Sequence, residues 1–178
     1  MKSVLASLKP YYYYLVGEGI KEIEVRKNMP KASDWNKEVL FYMSKDIKSF
    51  AKIPKEFQGK YREHFGKVGM QFVCERIVEN FKYLVTPKGL ECACLSEQEV
   101  CDYLGFNGGY GWHISDLKIY DKPKELSEFN RITDKCVFNK DGVCQNRKQN
   151  QVILCKNLDC DCKKIVRPPQ SWCYVREL

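Results

Sequence analysis

The 178 residues carry 30 Lys and Arg against 23 Asp and Glu, a formal charge of +7, and 44% are hydrophobic, enough for one core of ordinary size but not for two. No apolar run of about 18 residues is present to span a bilayer, and the opening MKSVLASLKPYYYY lacks the apolar stretch and cleavage site of an export signal, so the expected location is the cytoplasm. The positive balance favours polyanionic partners, and the ten cysteines are expected there as thiols or metal ligands rather than disulfides.

In chain order, SVLASL (3–8) reads as a short strand, and KPYYYYLVGEG has the Pro start and Gly end of a brief helix. KEIEVRK (21–27) alternates, with Ile23 and Val25 on one face and Glu22, Glu24 and Arg26 on the other, which predicts a half-buried strand showing a row of charge to water or to a ligand. VLFYM (39–43) is an apolar run of strand length. A basic helical stretch follows at 45–64, interrupted by Pro54. Residues 45–67 hold seven Lys and Arg against three acids, over half of the net charge, which reads first as a solvated helix face.

Residues 66–85, rich in Val, Phe, Ile and Tyr, predict one long or two short strands. Ser96 with Glu99 three residues later is a capping-box pattern, with Val100, Tyr103 and Leu104 as the buried face and Gly105 as the stop, so a helix is expected at 97–104. FNGGYG (106–111) is a glycine-rich turn, 113–120 is strand-like up to a break at Pro123, and SWCYVREL closes as a strand. This order fits an α+β fold in which a small closed sheet carries peripheral short helices. One domain over 1–178 is expected, with a basic helical insertion at about 45–65 and a Cys-rich insertion at 136–162.

Three stretches carry a family likeness. SLKPYYYYLVGEGIKEIEVRKNMP (7–30) resembles the opening of ASCH domains, where Lys-Pro, a short helix, a Gly and then Lys-x-x-Glu-x-Arg correspond to Lys9, Pro10, Gly19, Lys21, Glu24 and Arg26. GYGWHISDLKIYDKPKELSEF (109–129) and RPPQSWCYV (167–175) are similar to ASCH-containing proteins of phages and Firmicute bacteria. The resemblance implies a PUA-like β-barrel with a cleft beside the first helix, into which the Lys-x-x-Glu-x-Arg strand projects, in a family generally regarded as RNA-binding.

Read as a nucleic-acid site, Lys9, Lys21 and Arg26 would meet phosphates or a base edge, Glu24 would accept from an exocyclic amine, and Tyr12 and Trp112 would offer rings for stacking. Four successive tyrosines on a short helix cannot all be buried, so one or two of Tyr11 to Tyr14 must face outward. For Trp112 and Trp172 packing is the competing role, as it is for His113.

An enzyme reading also follows from the resemblance. One small bacterial ASCH member is an amidohydrolase that removes the acetyl group from acetylated cytidine with a Lys, a Thr and a Glu, and others are reported to cut RNA. Lys21 matches the Lys, but Glu24 stands where the Thr would be, leaving that nucleophile missing, and Glu75 is the candidate for the Glu. A third reading has the scaffold grip a host protein.

The segment 136–162 spaces its cysteines as Cys-x7-Cys-x10-Cys-x4-Cys-x-Cys. Four thiolates from Cys136, Cys144, Cys155 and either Cys160 or Cys162 would make a closed structural Zn2+ site, a zinc knuckle tying the loop to the barrel. Cys74, Cys92, Cys94, Cys101 and Cys173 stand in apolar or strand contexts and are expected as small core residues.

Overall fold

The computed structural model describes residues 2–31, 37–132 and 163–177. Its strands are β1 (Ser3–Leu8), β2 (Ile23–Arg26), β3 (Glu38–Met43), β4 (Val68–Val73), β5 (Ile77–Glu79), β6 (Tyr110–His113), β7 (Ser115–Lys124), β8 (Phe129–Arg131), β9 (Lys163–Lys164) and β10 (Trp172–Glu177). Between them lie α1 (Pro10–Gly17), α2 (Ile47–Phe50), α3 (Lys55–Arg62), α4 (Phe81–Leu84), α5 (Pro87–Ala93), α6 (Glu97–Leu104) and a single 3-10 turn at Leu126–Glu128.

The main sheet has the order β7-β4-β3-β1-β10-β8-β9. At its centre β1 runs parallel to β3 and antiparallel to β10. The apolar run of β3 is central because both of its faces are covered, the pattern that makes a strand continuously hydrophobic. Val39, Phe41 and Met43 enter the larger core with Val4, Ala6 and Leu8 of β1, beneath Tyr13, Val16 and Tyr61 of the helices. Leu40 and Tyr42 join Leu5, Phe129, Cys173 and Val175 on the opposite face.

β2 leaves this sheet. It pairs with β6, which also pairs with β5, in a separate three-stranded sheet ordered β2-β6-β5. Ile23 and Val25 pack there with Phe81, Ala93, Val100 and Leu104 of the α4–α6 segment.

This arrangement corrects the expected β-barrel. Closure requires one edge strand to hydrogen-bond to the other, but among the described residues the edges of the main sheet, β7 and β9, pair only inward. Two register shifts in the β4–β7 ladder bend that edge, and β2 is spent on the second sheet. The α+β character and the peripheral short helices stand.

The zinc expectation is likewise corrected. Among the described residues no group of three or more His, Cys, Asp or Glu side chains could hold a metal ion. Cys136, Cys144, Cys155, Cys160 and Cys162 lie outside the described residues, and the described cysteines, Cys74, Cys92, Cys94, Cys101 and Cys173, are free thiols. No helix among the described residues is long and apolar enough to cross a membrane.

Two further differences are local. Residues 66–85 end in helix rather than strand, since Asn80 adopts φ 51° and starts α4. β7 runs through Pro123 to Lys124, which an edge strand allows because the missing N–H need not face a neighbour.

Candidate functional site

Lys21 is fixed before its side chain makes any contact. Gly19, at φ 69°, ends α1, and the N–H groups of Ile20 and Lys21 both donate to the Leu15 carbonyl. Glu22 then donates to the Cys92 carbonyl and accepts from Ile114, which launches β2 in a single register. With Ile23 and Val25 turned toward α5 and α6, alternation sends Glu24 and Arg26 to the opposite side.

That side is not a solvated face. Lys21, Glu24 and Arg26 are 3%, 5% and 4% exposed, which corrects the expected half-buried strand. Glu24 sits between the two cations, with Oε1 2.9 Å from Arg26 Nε and Oε2 3.6 Å from Lys21 Nζ. The contact with Nε is an ion pair made side-on, without hydrogen-bond alignment.

The remaining valences of both cations are largely spent on main chain. Lys21 Nζ donates to the Ala93 carbonyl at the end of α5, where a cation also suits the exposed carbonyls of a helix terminus. Arg26 Nη2 donates to the Ser7 carbonyl at 2.8 Å and Nη1 to the Ser171 carbonyl at 3.1 Å. Burial pushes the Lys21 amine below the ordinary lysine value, although Glu24 pulls the other way.

Above this triad opens a cleft of about 810 Å³. Its walls come from four places: Lys9 and Tyr12 of α1 and the residue before it, Ser44 and Asp46 after β3, Leu95, Glu99, Asp102 and Tyr103 around α6, and Pro168 to Gln170 before β10. Tyr12 is partly exposed, and Lys21 Nζ lies 5.5 Å from its ring centroid. Burial first, then Glu99 and Glu24, raise the Tyr12 phenol above its ordinary value. Lys27 Nζ sits 5.3 Å from the Tyr103 ring.

The acids of the wall have structural tasks as well. Glu99 closes the capping box of α6, accepting the Ser96 N–H at 2.8 Å and hydroxyl at 2.9 Å, and these bonds hold its carboxyl below the usual range. Asp46 caps α2 by accepting the Ser49 N–H at 3.0 Å.

Of the residues singled out in the sequence, Lys9, Tyr12, Lys21, Glu24 and Arg26 line this one cleft. Trp112 does not. It is fully buried in the larger core, with its ring centroid 6.4 Å from that of Trp172, so it cannot meet a base. Glu75 is exposed just past β4 and is not part of the lining, which leaves Lys21 and Glu24 as the only assembled pair from the enzyme reading. His113 lies on β6, also outside it. Sequence reasoning missed Asp46, Glu99, Asp102 and Tyr103. The capping box signalled the helix that carries three of them, but Tyr103, expected on its buried face with Val100 and Leu104, is instead exposed in the cleft wall.

No family model matches the chain, and no curated protein matches it. Solved structures do. A tyrosine-to-phenylalanine mutant of the ASCH protein of Zymomonas mobilis superposes with a TM-score of 0.51 at 18% identity, over 99% of this chain and 91% of that one. A serine-to-alanine mutant of the same protein gives 0.51 at 19% identity, over 70% of this chain and 74% of that one. At that identity it is the fold alone that is shared with the Zymomonas mobilis ASCH protein.

Proposed function

We propose that this chain is a nucleic-acid-binding module, that its polymer is RNA, and that the cleft receives an unpaired base. The observation that carries the reading is the composition of the cleft: a buried carboxylate, Glu24, fixed by Lys21 and Arg26 at its floor, with the partly exposed rings of Tyr12 and Tyr103 beside it. A carboxylate so held accepts from an exocyclic amine, and aromatic rings stack on a base face. The volume falls within the range of pockets that enclose a ligand of nucleoside size. Lys9, which lines the cleft, and Lys27, beside Tyr103, are both exposed and would meet a backbone. The likeness of three stretches to ASCH domains, and the shared fold, support a nucleic-acid-associated role.

Fluorescence titration at low salt with single-stranded RNA, duplex RNA and single-stranded DNA tests this. Single-stranded RNA is expected to bind best, with affinity falling as salt rises. Tyr12→Ala should weaken binding by about 1–3 kcal/mol, the worth of one stacked base, while Tyr12→Phe retains most of it. Absence of binding to all three polymers at low salt defeats the proposal.

One observation favours a second reading, an enzyme acting on a modified nucleoside or on RNA. A buried amine with a lowered pKa, 3.6 Å from a carboxylate, is an arrangement suited to proton transfer. Incubation with acetylated cytidine and with total RNA would then show turnover by the wild type that Lys21→Ala lacks. No turnover of either substrate removes this reading and leaves the binding module intact.

A further inference from the structure

The charges of the cleft do not favour an anion inside it. Its lining cations, Lys9, Lys21 and Arg26, face Glu24, Asp46, Glu99 and Asp102, and two of the three cations are committed to Glu24 and to main-chain carbonyls. A nucleotide chain nevertheless brings a phosphate with each base, and that phosphate needs a place close by.

The 167–171 loop separates the cleft from a second cavity of about 420 Å³. Pro168, Pro169 and Gln170 line both hollows, so the loop is the partition between them. It is held in place from β1 and β2: the Ser7 hydroxyl donates to the Pro169 carbonyl at 2.7 Å, and the Ser7 N–H and Arg26 Nη1 both donate to the Ser171 carbonyl.

The second cavity has the opposite electrostatics. Its described lining includes two arginines, Arg131 from β8 and Arg167 from the loop, with Trp172 as one wall and no carboxylate. Lys164, paired with Asn130 on the neighbouring strand, adds charge of the same sign nearby. Arginine carries a planar donor fork of the kind that binds phosphate oxygens in pairs, and two arginines line this cavity beside Trp172.

We propose that this second cavity is a phosphate subsite, in which Arg131 and Arg167 hold the phosphodiester next to the base seated in the cleft. It rests on the reading of the cleft as a base site. One ligand then spans the partition, base on one side and phosphate on the other, and the two hollows divide neutral from anionic recognition.

The test is a set of titrations on the full chain with a ribonucleoside, its 3′ and 5′ monophosphates, inorganic phosphate and a short single-stranded RNA. The proteins are wild type, Arg131→Gln, Arg167→Gln, the double variant, Tyr12→Ala, and Lys88→Gln as a distant charge control on α5. Both arginines are exposed, so their variants are expected to fold, and their melting temperatures check it. Each arginine variant should lose roughly tenfold in RNA affinity and lower the slope of log affinity against log salt by about one. Nucleoside binding should be unchanged, and Lys88→Gln should alter neither quantity. If the double variant binds RNA as tightly as wild type with the same salt slope while Tyr12→Ala still weakens it, the phosphate subsite is refuted and the base site survives. If inorganic phosphate binds through the two arginines but a monophosphate gains nothing over it, the cavity is an independent anion site and the spanning ligand is wrong. Failure of the wild type to bind either nucleoside or RNA overturns both readings together.

Discussion

Glu24 is the residue on which the floor of the cleft depends, because it pairs with two buried cations. Replacing it by Gln keeps the shape and removes the charge, and breaking a buried pair from one side costs about 3–5 kcal/mol. The expected outcome for Glu24→Gln is a loss toward the lower end of that range, since Lys21 can shed its proton, read as a lower urea midpoint at neutral pH. Lys21 itself gives a pH signature. Its folded value lies below 10.5 because burial disfavours the charged form, so between the two values the unfolded chain binds more protons than the native one. Stability from this residue therefore rises as pH climbs through that window. Unfolding curves for wild type and Lys21→Met should converge or cross in the wild type's favour as pH rises; a pH-independent difference would refute the assignment. Glu24 and Arg26 were legible from alternation, and Lys21 from the family likeness. Their burial was not, because the groups that cover them come from α5, α6 and the 167–171 loop, and a period of two reports only which face a residue takes. Trp112 shows the same limit, since one residue type serves equally as a stacking platform or as core.

At the scale of elements, local chemistry decided most boundaries. Pro54 divides α2 from α3, the Ser96 and Glu99 capping box opens α6, and Gly105, at φ 61°, follows its end. α5 went unseen, although Thr86 accepts the Gly89 N–H and Pro87 occupies the first turn, because a seven-residue helix has too few turns to show a period. Ser96→Ala should cost about 1 kcal/mol of stability and, by loosening the helix that carries Asp102 and Tyr103 onto the cleft, weaken RNA binding in the same titration. A second prediction concerns β4. Gly69 passes directly beneath the buried pair Tyr13 Oη and His64 Nδ1, which are 2.9 Å apart, and a Cβ there would collide with both. Gly69→Ala should destabilise by about 1–3 kcal/mol, the usual cost of overpacking, with a lower melting temperature as the readout. Unchanged stability would mean that the pair can move aside.

For the whole molecule, the net charge of +7 is distributed with some economy. Lys60 pairs with Glu18 at 2.7 Å and Lys67 with Glu125 at 3.3 Å, so part of the basic 45–67 stretch is balanced locally. Lys52 differs, because its charge helps to hold Glu99 below the usual carboxyl range, which puts it within electrostatic reach of the cleft mouth. Lys52→Gln should therefore lower the salt slope of RNA binding by about one, whereas Lys55→Gln, on α3, should leave it unchanged; equal effects would mean that only total charge matters. Layer composition was readable from the mixture of alternating and continuous apolar runs. The open sheet was not, because whether β2 pairs with β1, β3 or β6 depends on contacts between segments far apart in the chain.

The pairing of β1 with β10, residues 3–6 against 172–175, has a consequence for synthesis. On the ribosome, one flank of β1 stays without a partner until nearly all of the described chain has emerged, and the partition loop arrives at the same moment. Until β10 is made, the nascent protein thus carries an unpaired central strand and an unfinished pocket, a state in which sticky edges invite misassembly. Folding should be slow, because a central strand of the main sheet pairs with a segment far from it in sequence.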